Sequence, residues 1–219
     1  FGPFSAAVAP GQIVNVVGES GSGKSTLLAV IARLRDPDGG AIHLDGNDLR
    51  RVSVAGLRRR VGIASAATPL MRGSIAMNLR YREPGATAEA IARVSAACNL
   101  APILERLPEG DRFRLSDGAR ELSIGEAQRL AIARAMLGRP RLLILDDVDT
   151  HLDEQSAALI AAALSRHKGV VLMAATSPAL REAADTIWRL TPGGVAIAAR
   201  ASGEPNIVEL NSIAATKRS

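Results

Sequence analysis

Residues 18–26 read Gly-Glu-Ser-Gly-Ser-Gly-Lys-Ser-Thr, which has the spacing G-x-x-x-x-G-K-[ST] of a loop that binds phosphate groups. A β-rich run at residues 13–17 precedes the loop, and residues 26–35 carry apolar side chains at helical spacing. A strand, a glycine-rich loop and a helix in this order surround one anion with backbone N–H groups and a positive helix end. The stretch therefore predicts an α/β fold with a phosphate site after its first strand.

The residue types within this loop predict how a nucleotide is held. Gly18, Gly21 and Gly23 let the backbone turn tightly and approach the phosphates closely. We expect the Lys24 ammonium to reach the β- and γ-phosphates, and the Ser25 hydroxyl to ligate Mg²⁺. The complete set of predicted nucleotide-binding residues in the loop is Gly18, Ser20, Gly21, Ser22, Gly23, Lys24, Ser25 and Thr26.

Length and composition favour one compact domain. The chain has 219 residues, of which 47% are apolar and only 2% aromatic, so a sizeable aliphatic core is expected. The single cysteine, Cys98, excludes an intramolecular disulfide, fits a reducing compartment, and is expected to be a small buried apolar residue. No apolar run approaches the ~20 residues of a membrane-spanning helix. No signal peptide opens the chain, and we expect the sequence to be part of a longer polypeptide.

The net charge of +5 raises the question of an anionic partner. The arginines are scattered, their tightest group is residues 58–60, and no aromatic side chains lie among them to stack on bases. We interpret the basic surface as solvated, with a membrane-proximal role as the alternative. Nucleic acid is not expected as a partner.

Short apolar runs alternate with helical patterns on both sides of an insert. Strands are predicted at residues 41–44, 61–64, 142–145, 170–174 and 186–190, and helices at residues 123–137 and 153–167. The interval 67–121 is predicted to be a mostly helical insert, residues 192–194 a hairpin turn, and the chain from residue 201 a loose tail. This alternation predicts a mainly parallel sheet with both faces covered.

Two carboxylates follow the predicted strand at residues 142–145. A buried strand that ends in a carboxylate presents it at the carboxyl edge of the sheet, where ligands of open α/β sheets bind. Asp146 is therefore expected to hold Mg²⁺, directly or through water, and Asp147 follows it. After a phosphate-binding loop, this pattern resembles a Walker B strand.

Residues 122–126 read Leu-Ser-Ile-Gly-Glu and open a helical pattern. The pentapeptide resembles the signature motif of ATP-binding-cassette (ABC) proteins, which usually reads Leu-Ser-Gly-Gly-Gln. The resemblance implies that Ser123 and Gly125 contact the γ-phosphate of a nucleotide held by the opposite subunit. A serine N-cap with Glu126 in a capping box explains the same residues structurally, and the two interpretations hold together.

The resemblance extends over residues 4–195. Residues 73–79 are similar to an exporter segment that usually reads Gly-Thr-Ile-x-x-Asn-Ile, and residues 150–153 match the D-loop, usually Ser-Ala-Leu-Asp. The chain is thus identified as a member of the exporter-type ABC nucleotide-binding domains. The implied fold is an α/β P-loop NTPase (RecA-like) core at about residues 1–65 and 138–198, with a helical subdomain at about 67–137 that carries the signature; the domain ends near residue 200 and a C-terminal tail follows at 201–219.

The family resemblance also implies the activity and partners. We expect a motor domain that binds and hydrolyses ATP with Mg²⁺, the ATP being sandwiched between its P-loop and the signature of a second nucleotide-binding domain in a head-to-tail dimer. That partner is identical or homologous. A transmembrane domain is expected upstream of Phe1, as is the residue that stacks on adenine, and the expected location is the cytoplasmic face of the cell (inner) membrane.

Departures from the family pattern concern hydrolysis more than binding. Asp147 replaces the catalytic Glu, and its side chain is shorter by one C–C bond of about 1.5 Å. Ala66 aligns with the Q-loop Gln, and Thr176 aligns with the switch His. In the signature, Ile124 and Glu126 replace Gly and Gln. The catalytic set is therefore predicted as Lys24, Asp147 and Thr176, in a degenerate site with weak hydrolysis.

Two other functions compete with this interpretation. The first is a regulatory nucleotide-binding half of an asymmetric transporter, which holds ATP while an intact partner site hydrolyses it. The second is a nucleic-acid-handling ABC ATPase. The latter is disfavoured, because the interval from the P-loop to Ser123 contains no sustained heptads for a long coiled coil.

Overall fold

The computed structural model describes residues 4–191 and 194–199. The strands in these ranges are β1 Ile13–Val17, β2 His43–Leu44, β3 Asn47–Asp48, β4 Val61–Ala64, β5 Gly73–Ser74, β6 Arg114–Leu115, β7 Leu142–Asp146, β8 Val170–Ala174, β9 Thr186–Thr191 and β10 Gly194–Ala199. The α-helices are α1 Lys24–Ile31, α2 Val54–Arg60, α3 Ile75–Arg80, α4 Ala88–Ala97, α5 Ala101–Arg106, α6 Ile124–Met136, α7 Glu154–Leu164 and α8 Pro178–Glu182. The predicted turn at 192–194 and the predicted tail from 201 fall wholly or mainly outside the described residues.

A six-stranded sheet forms the centre of the described part of the chain, with the order β10-β9-β1-β8-β7-β4. Its neighbouring strands are parallel, except that β9 and β10 are antiparallel. Parallel neighbours need crossover connections, and the helices between the strands supply them. The mainly parallel α/β sheet predicted from the sequence is confirmed.

Both faces of the sheet are buried because alternate side chains of each strand enter different apolar clusters. Ile13 and Met173 pack on one face together with residues of α6 and α7. Val14 and Val16 pack on the other face with Leu27 of α1. Burial on both faces explains why the strands are continuous apolar runs rather than alternating ones.

Parallel pairing brings the carboxyl ends of four strands to one edge of the sheet. Gly18 follows β1, Ser65 follows β4, Asp146 ends β7, and Ala175 follows β8. In open α/β sheets this edge is where ligands bind. The phosphate-binding loop and the carboxylates found in the sequence therefore lie on the same side of the sheet.

The boundaries of local elements differ from the sequence prediction by more than one residue at three places. Helix α7 ends at Leu164 and not at residue 167. Helix α1 ends at Ile31 and not at residue 35, because Arg33 has a left-handed φ of +54° that cannot continue a helix. The predicted strand 41–44 is only β2, which pairs with β3 across Asp45 and Gly46. Both turn residues have positive φ, +52° and +77°, as a tight two-residue hairpin requires.

The predicted insert at 67–121 contains α3, α4 and α5 and also the short antiparallel pair β5–β6. The division into a core and a helical subdomain stays a prediction.

No helix in residues 4–191 and 194–199 combines the length and the apolar character that crossing a membrane requires.

Candidate functional site

The start of α1 offers free backbone donors to an anion. Gly23 caps the helix with a φ of +98°, a conformation that favours glycine, and no side chain caps the helix. The first hydrogen bond of the helix is donated by Leu27 N to Gly23 O at 2.8 Å. The N–H groups of Lys24, Ser25 and Thr26 precede it and are therefore available for an anion.

The loop itself shows two features that fit a phosphate group. The buried Ser22 hydroxyl has no hydrogen-bond partner among the described residues. The Lys24 ammonium donates to the carbonyl oxygens of Gly18 at 2.8 Å and Glu19 at 3.0 Å, which holds its charge over the loop. A cleft of 990 Å³ borders these groups, and Ser20, Gly21 and Thr26 also line it. Its size fits a nucleotide.

The two predicted metal ligands are in direct contact. The Ser25 hydroxyl donates to Asp146 Oδ1 at 3.1 Å, across 121 residues of sequence. Burial raises the pKa of the Asp146 carboxyl, the hydrogen bond from Ser25 opposes this rise, and the neighbouring Asp147 carboxylate adds to it. No group of three or more His, Cys, Asp or Glu side chains in the described residues could hold a metal ion. One carboxylate and one hydroxyl fit Mg²⁺, which protein sites bind together with substrate phosphates and water.

Asp147 and Thr176 line the cleft at the phosphate-binding loop, whereas Ala66 does not. Both polar residues are exposed and border the cleft. The backbone of Asp147 has a left-handed φ of +53°, and its N–H donates to Ala174 O at 3.2 Å. Ala66 borders a neighbouring cavity of 530 Å³, and Ser25 and Asp146 lie between the two spaces because they line both. The methyl side chain of Ala66 can neither ligate a metal ion nor form a hydrogen bond with water.

Two buried polar side chains that the sequence analysis did not identify fix the segment after β8. Asn15 of β1 accepts from Ala175 N at 3.0 Å and donates to Ala175 O at 3.3 Å. Asp149, which is 3% exposed, accepts from Thr176 N at 2.8 Å and Ser177 N at 2.6 Å through Oδ2. Three successive N–H groups are thus held by side chains. A polar residue inside the apolar run 13–17, and a third carboxylate after Asp146-Asp147, were the available signals.

The start of α6 contains the predicted capping box. Ser123 Oγ accepts from Glu126 N at 3.2 Å, and Glu126 Oε2 accepts from Ser123 N at 2.8 Å. Arg106 of α5 pairs with Glu126 Oε2 at 2.8 Å. Partial burial opposes ionisation, but the N–H of Ser123 and the guanidinium of Arg106 outweigh it and hold the pKa of Glu126 below its usual value. Glu126, which replaces the usual Gln of the signature, therefore forms an ion pair with Arg106.

The loop after β7 packs against the start of α6. A Cβ at Gly125 would collide with the carbonyl oxygen of His151, so this position requires glycine. Gln128 of α6 accepts from His151 N at 3.2 Å and donates to Thr150 Oγ1 at 3.3 Å. Neither Ser123 nor Gly125 lines the cleft at the P-loop. The structure therefore places the predicted signature residues apart from the phosphate-binding loop of the same chain.

Comparison with protein-family models matches residues 1–150 to the ABC transporter family. Among curated proteins, ABC transporter B family member 3 of Dictyostelium discoideum is 37% identical over 164 residues, which cover 75% of this chain and 12% of that protein. An ATP-dependent lipid A-core flippase of Xylella fastidiosa is 42% identical over 163 residues, which cover 74% of this chain and 28% of that protein. The chain thus spans a small part of the length of these relatives.

Among solved structures, a bacterial Atm1-family ABC exporter with ATP bound superposes with a TM-score of 0.79 at 32% sequence identity. The match covers 88% of this chain and 34% of that one.

Proposed function

The chain belongs to the ABC transporter family, and from that premise we propose that it is the ATP-binding and ATP-hydrolysing motor domain of an exporter, with weak intrinsic hydrolysis. One observation carries the proposal: the free N–H groups at the start of α1 lie beside Lys24 and the Ser25–Asp146 pair. This arrangement combines donors for phosphate with ligands for Mg²⁺. The similar solved exporter holds ATP, which supports ATP as the nucleotide.

A head-to-tail dimer is the second part of the proposal. The P-loop cleft and the start of α6 are separate surfaces of one chain, so Ser123 and Gly125 reach a phosphate only on another molecule. In the proposed dimer the partner is an identical or homologous nucleotide-binding domain. Binding of ATP holds the two surfaces together, and hydrolysis releases them.

Weak hydrolysis follows from three side chains. Asp147 reaches less far toward the cleft than a Glu, Thr176 provides a hydroxyl in place of an imidazole, and Ala66 provides no polar group. General-base catalysis contributes typically about 10²–10⁴-fold and depends first on geometry. We therefore propose Asp147, Lys24 and Thr176 as the catalytic set of a slow site.

The remaining parts of the proposal concern the whole transporter. A transmembrane domain precedes this chain in the full polypeptide and docks it at the cytoplasmic face of the membrane. The RecA-like core comprises about residues 1–65 and 138–198, and the helical subdomain about residues 67–137. The small share of each relative that the chain covers supports such additional domains.

A second candidate function is a non-hydrolytic regulatory half of an asymmetric transporter. The intact binding groups Lys24, Ser25 and Asp146, combined with the changes at the catalytic positions, favour it. Steady-state phosphate release by the chain, alone and with a homologous partner, distinguishes the candidates. Turnover by the chain alone supports the motor, and turnover that depends entirely on the partner supports the regulatory half.

The proposed nucleotide site is tested by titration calorimetry with ATP and Mg²⁺. We expect binding with one site per chain, and a loss of about tenfold or more in affinity for Lys24→Ala, because a charge-assisted contact to phosphate is removed. Lys168→Ala, which removes an exposed lysine outside the cleft, is the matched control and should bind as the wild type does. No heat of binding, or equal affinity in the Lys24 variant, would refute the proposal.

A further inference from the structure

His151 is an exposed residue whose imidazole is held in one orientation. Its backbone N–H donates to Gln128 Oε1 at 3.2 Å, so the amide NH₂ of Gln128 is the group that donates to Thr150 Oγ1 at 3.3 Å. The Thr150 hydroxyl lies 3.0 Å from His151 Nδ1, and its proton is not used in the bond with Gln128. In the tautomer in which Thr150 donates to Nδ1, the proton of the neutral ring is on Nε2, which is then a hydrogen-bond donor.

No hydrogen-bond partner for Nε2 is found in residues 4–191 and 194–199. The side chains of Gln128 and Thr150 thus orient an exposed donor that the chain itself does not use. Fixing an exposed side chain costs conformational entropy. A ligand on this surface that accepts a hydrogen bond would compensate for that cost.

The position of His151 indicates which ligand this is. Its carbonyl oxygen contacts Gly125 so closely that no Cβ fits there, so His151 lies beside the first turn of α6. It does not line the cleft at the P-loop of its own chain. A molecule that reaches Ser123 and Gly125 from outside therefore also comes close to His151.

Resting on the proposed function, we propose that His151 donates a hydrogen bond from Nε2 to a phosphate oxygen of the nucleotide held by the partner's P-loop. The nucleotide-binding surface at the start of α6 then consists of Ser123, Gly125 and His151, with Gln128 and Thr150 as positioning residues. The chain provides no imidazole at Thr176 for its own nucleotide, and His151 provides one for the nucleotide of the partner.

The test measures nucleotide-driven association of the chain with a second copy of itself by sedimentation velocity, with ATP and Mg²⁺. His151→Ala should raise the dissociation constant of the dimer about tenfold or more, the typical effect of losing a hydrogen bond to a charged group. His151→Gln, which keeps an N–H donor near the position of Nε2, should restore part of the loss. His43→Ala removes another exposed histidine, on β2, and should associate as the wild type does.

Two further measurements exclude a purely structural effect. His151→Ala should leave the thermal unfolding temperature and the circular dichroism spectrum of the nucleotide-free chain unchanged, because His151 is exposed. Association of His151→Ala equal to that of the wild type would refute the role of His151 and leave the proposed function intact. Absence of ATP-driven association in the wild type would refute the sandwich, and this inference with it.

Discussion

At the scale of single residues, Asp147 is the position at which we propose that nucleotide binding and hydrolysis are separated. It borders the cleft next to Asp146, and its left-handed backbone turns the chain away from the end of β7. A carboxylate at this place can accept a proton from water, but its reach is one C–C bond, about 1.5 Å, shorter than that of Glu. Replacing Asp147 with Glu therefore lengthens the side chain at this position without altering its charge.

Replacing Asp147 with Glu should raise steady-state ATP hydrolysis by about tenfold, which is less than the about 10²–10⁴-fold that a well-placed general base contributes. The full range is not expected, because Thr176 and Ala66 remain. Phosphate release at saturating ATP and Mg²⁺ measures the effect. Asp147→Asn, which cannot act as a base, is the matched control and should hydrolyse no faster than the wild type.

An Asp147→Glu protein that binds ATP as the wild type does but hydrolyses no faster would count against a motor limited by this carboxylate. That result would favour the regulatory half of a transporter, with catalysis at the site of a partner. Loss of ATP affinity in the variant would instead show that the longer side chain disturbs the proposed metal ligands Ser25 and Asp146.

At the scale of elements, the segment after β8 is fixed by side chains from two other parts of the chain. Asn15 comes from β1 and Asp149 from the loop after β7, and together they bind the N–H groups of Ala175, Thr176 and Ser177. These bonds place Thr176 at the cleft although Thr176 itself is exposed. The position of the segment after β8 thus depends on β1 and on the loop after β7.

Replacing Asp149 with Ala should lower the free energy of unfolding by about 2–4 kcal/mol, because two charge-assisted hydrogen bonds to N–H groups are lost. Asp149→Asn keeps an acceptor oxygen and should lose less. Urea denaturation at neutral pH measures both. The control is Asp185→Ala, since the Asp185 carboxylate is exposed and accepts one bond, from Ile13 N at 2.8 Å. If Asp149→Ala and Asp185→Ala had equal free energies of unfolding, the two bonds from Asp149 to the segment after β8 would contribute no more to stability than the single bond of Asp185.

At the scale of the whole molecule, the chain has two separate surfaces that we propose to bind a nucleotide. The P-loop cleft holds hydrogen-bond donors and the proposed metal ligands, and the start of α6 holds Ser123, Gly125 and an exposed Ile124. Because these surfaces are apart, the sandwich that we propose needs two chains. Loss of one surface should then be complemented by a second chain that retains it.

Mixing two defective chains tests this arrangement. Lys24→Ala removes the phosphate contact, and Ile124→Glu puts a negative charge where the partner's polyphosphate would lie, so each variant alone should associate about tenfold or more weakly with ATP and Mg²⁺. An equimolar mixture restores one intact pair of surfaces and should recover part of the association in sedimentation velocity. Ile124→Gln, of similar size without charge, should associate as the wild type does.

Failure of the mixture to associate, with normal association of the wild type, would mean that the cleft and the start of α6 do not meet on different chains. Folding of Ile124→Glu is not expected to fail. Ile124 is 62% exposed, and a Glu in the first turn of a helix is favoured by the helix dipole.

Local patterns in the sequence determined the phosphate-binding loop, the mainly parallel sheet, the strand that ends in Asp146 and the capping box of Ser123 and Glu126. Each is a pattern within a short window, where spacing fixes which side chains meet. The end of α1 was not predicted, because the left-handed backbone of Arg33 leaves no mark in the apolar spacing.

Only the tertiary structure decided which distant side chains support the site. Asn15 and Ala175 are 160 residues apart in sequence, Asp149 and Thr176 are 27 apart, Arg106 and Glu126 are 20 apart, and Gln128 and His151 are 23 apart. The sequence alone does not specify which of these residues come close together. Strand order and helix packing in the folded chain bring them into contact. The residue types at the site were therefore determined by the sequence, and their partners by the fold.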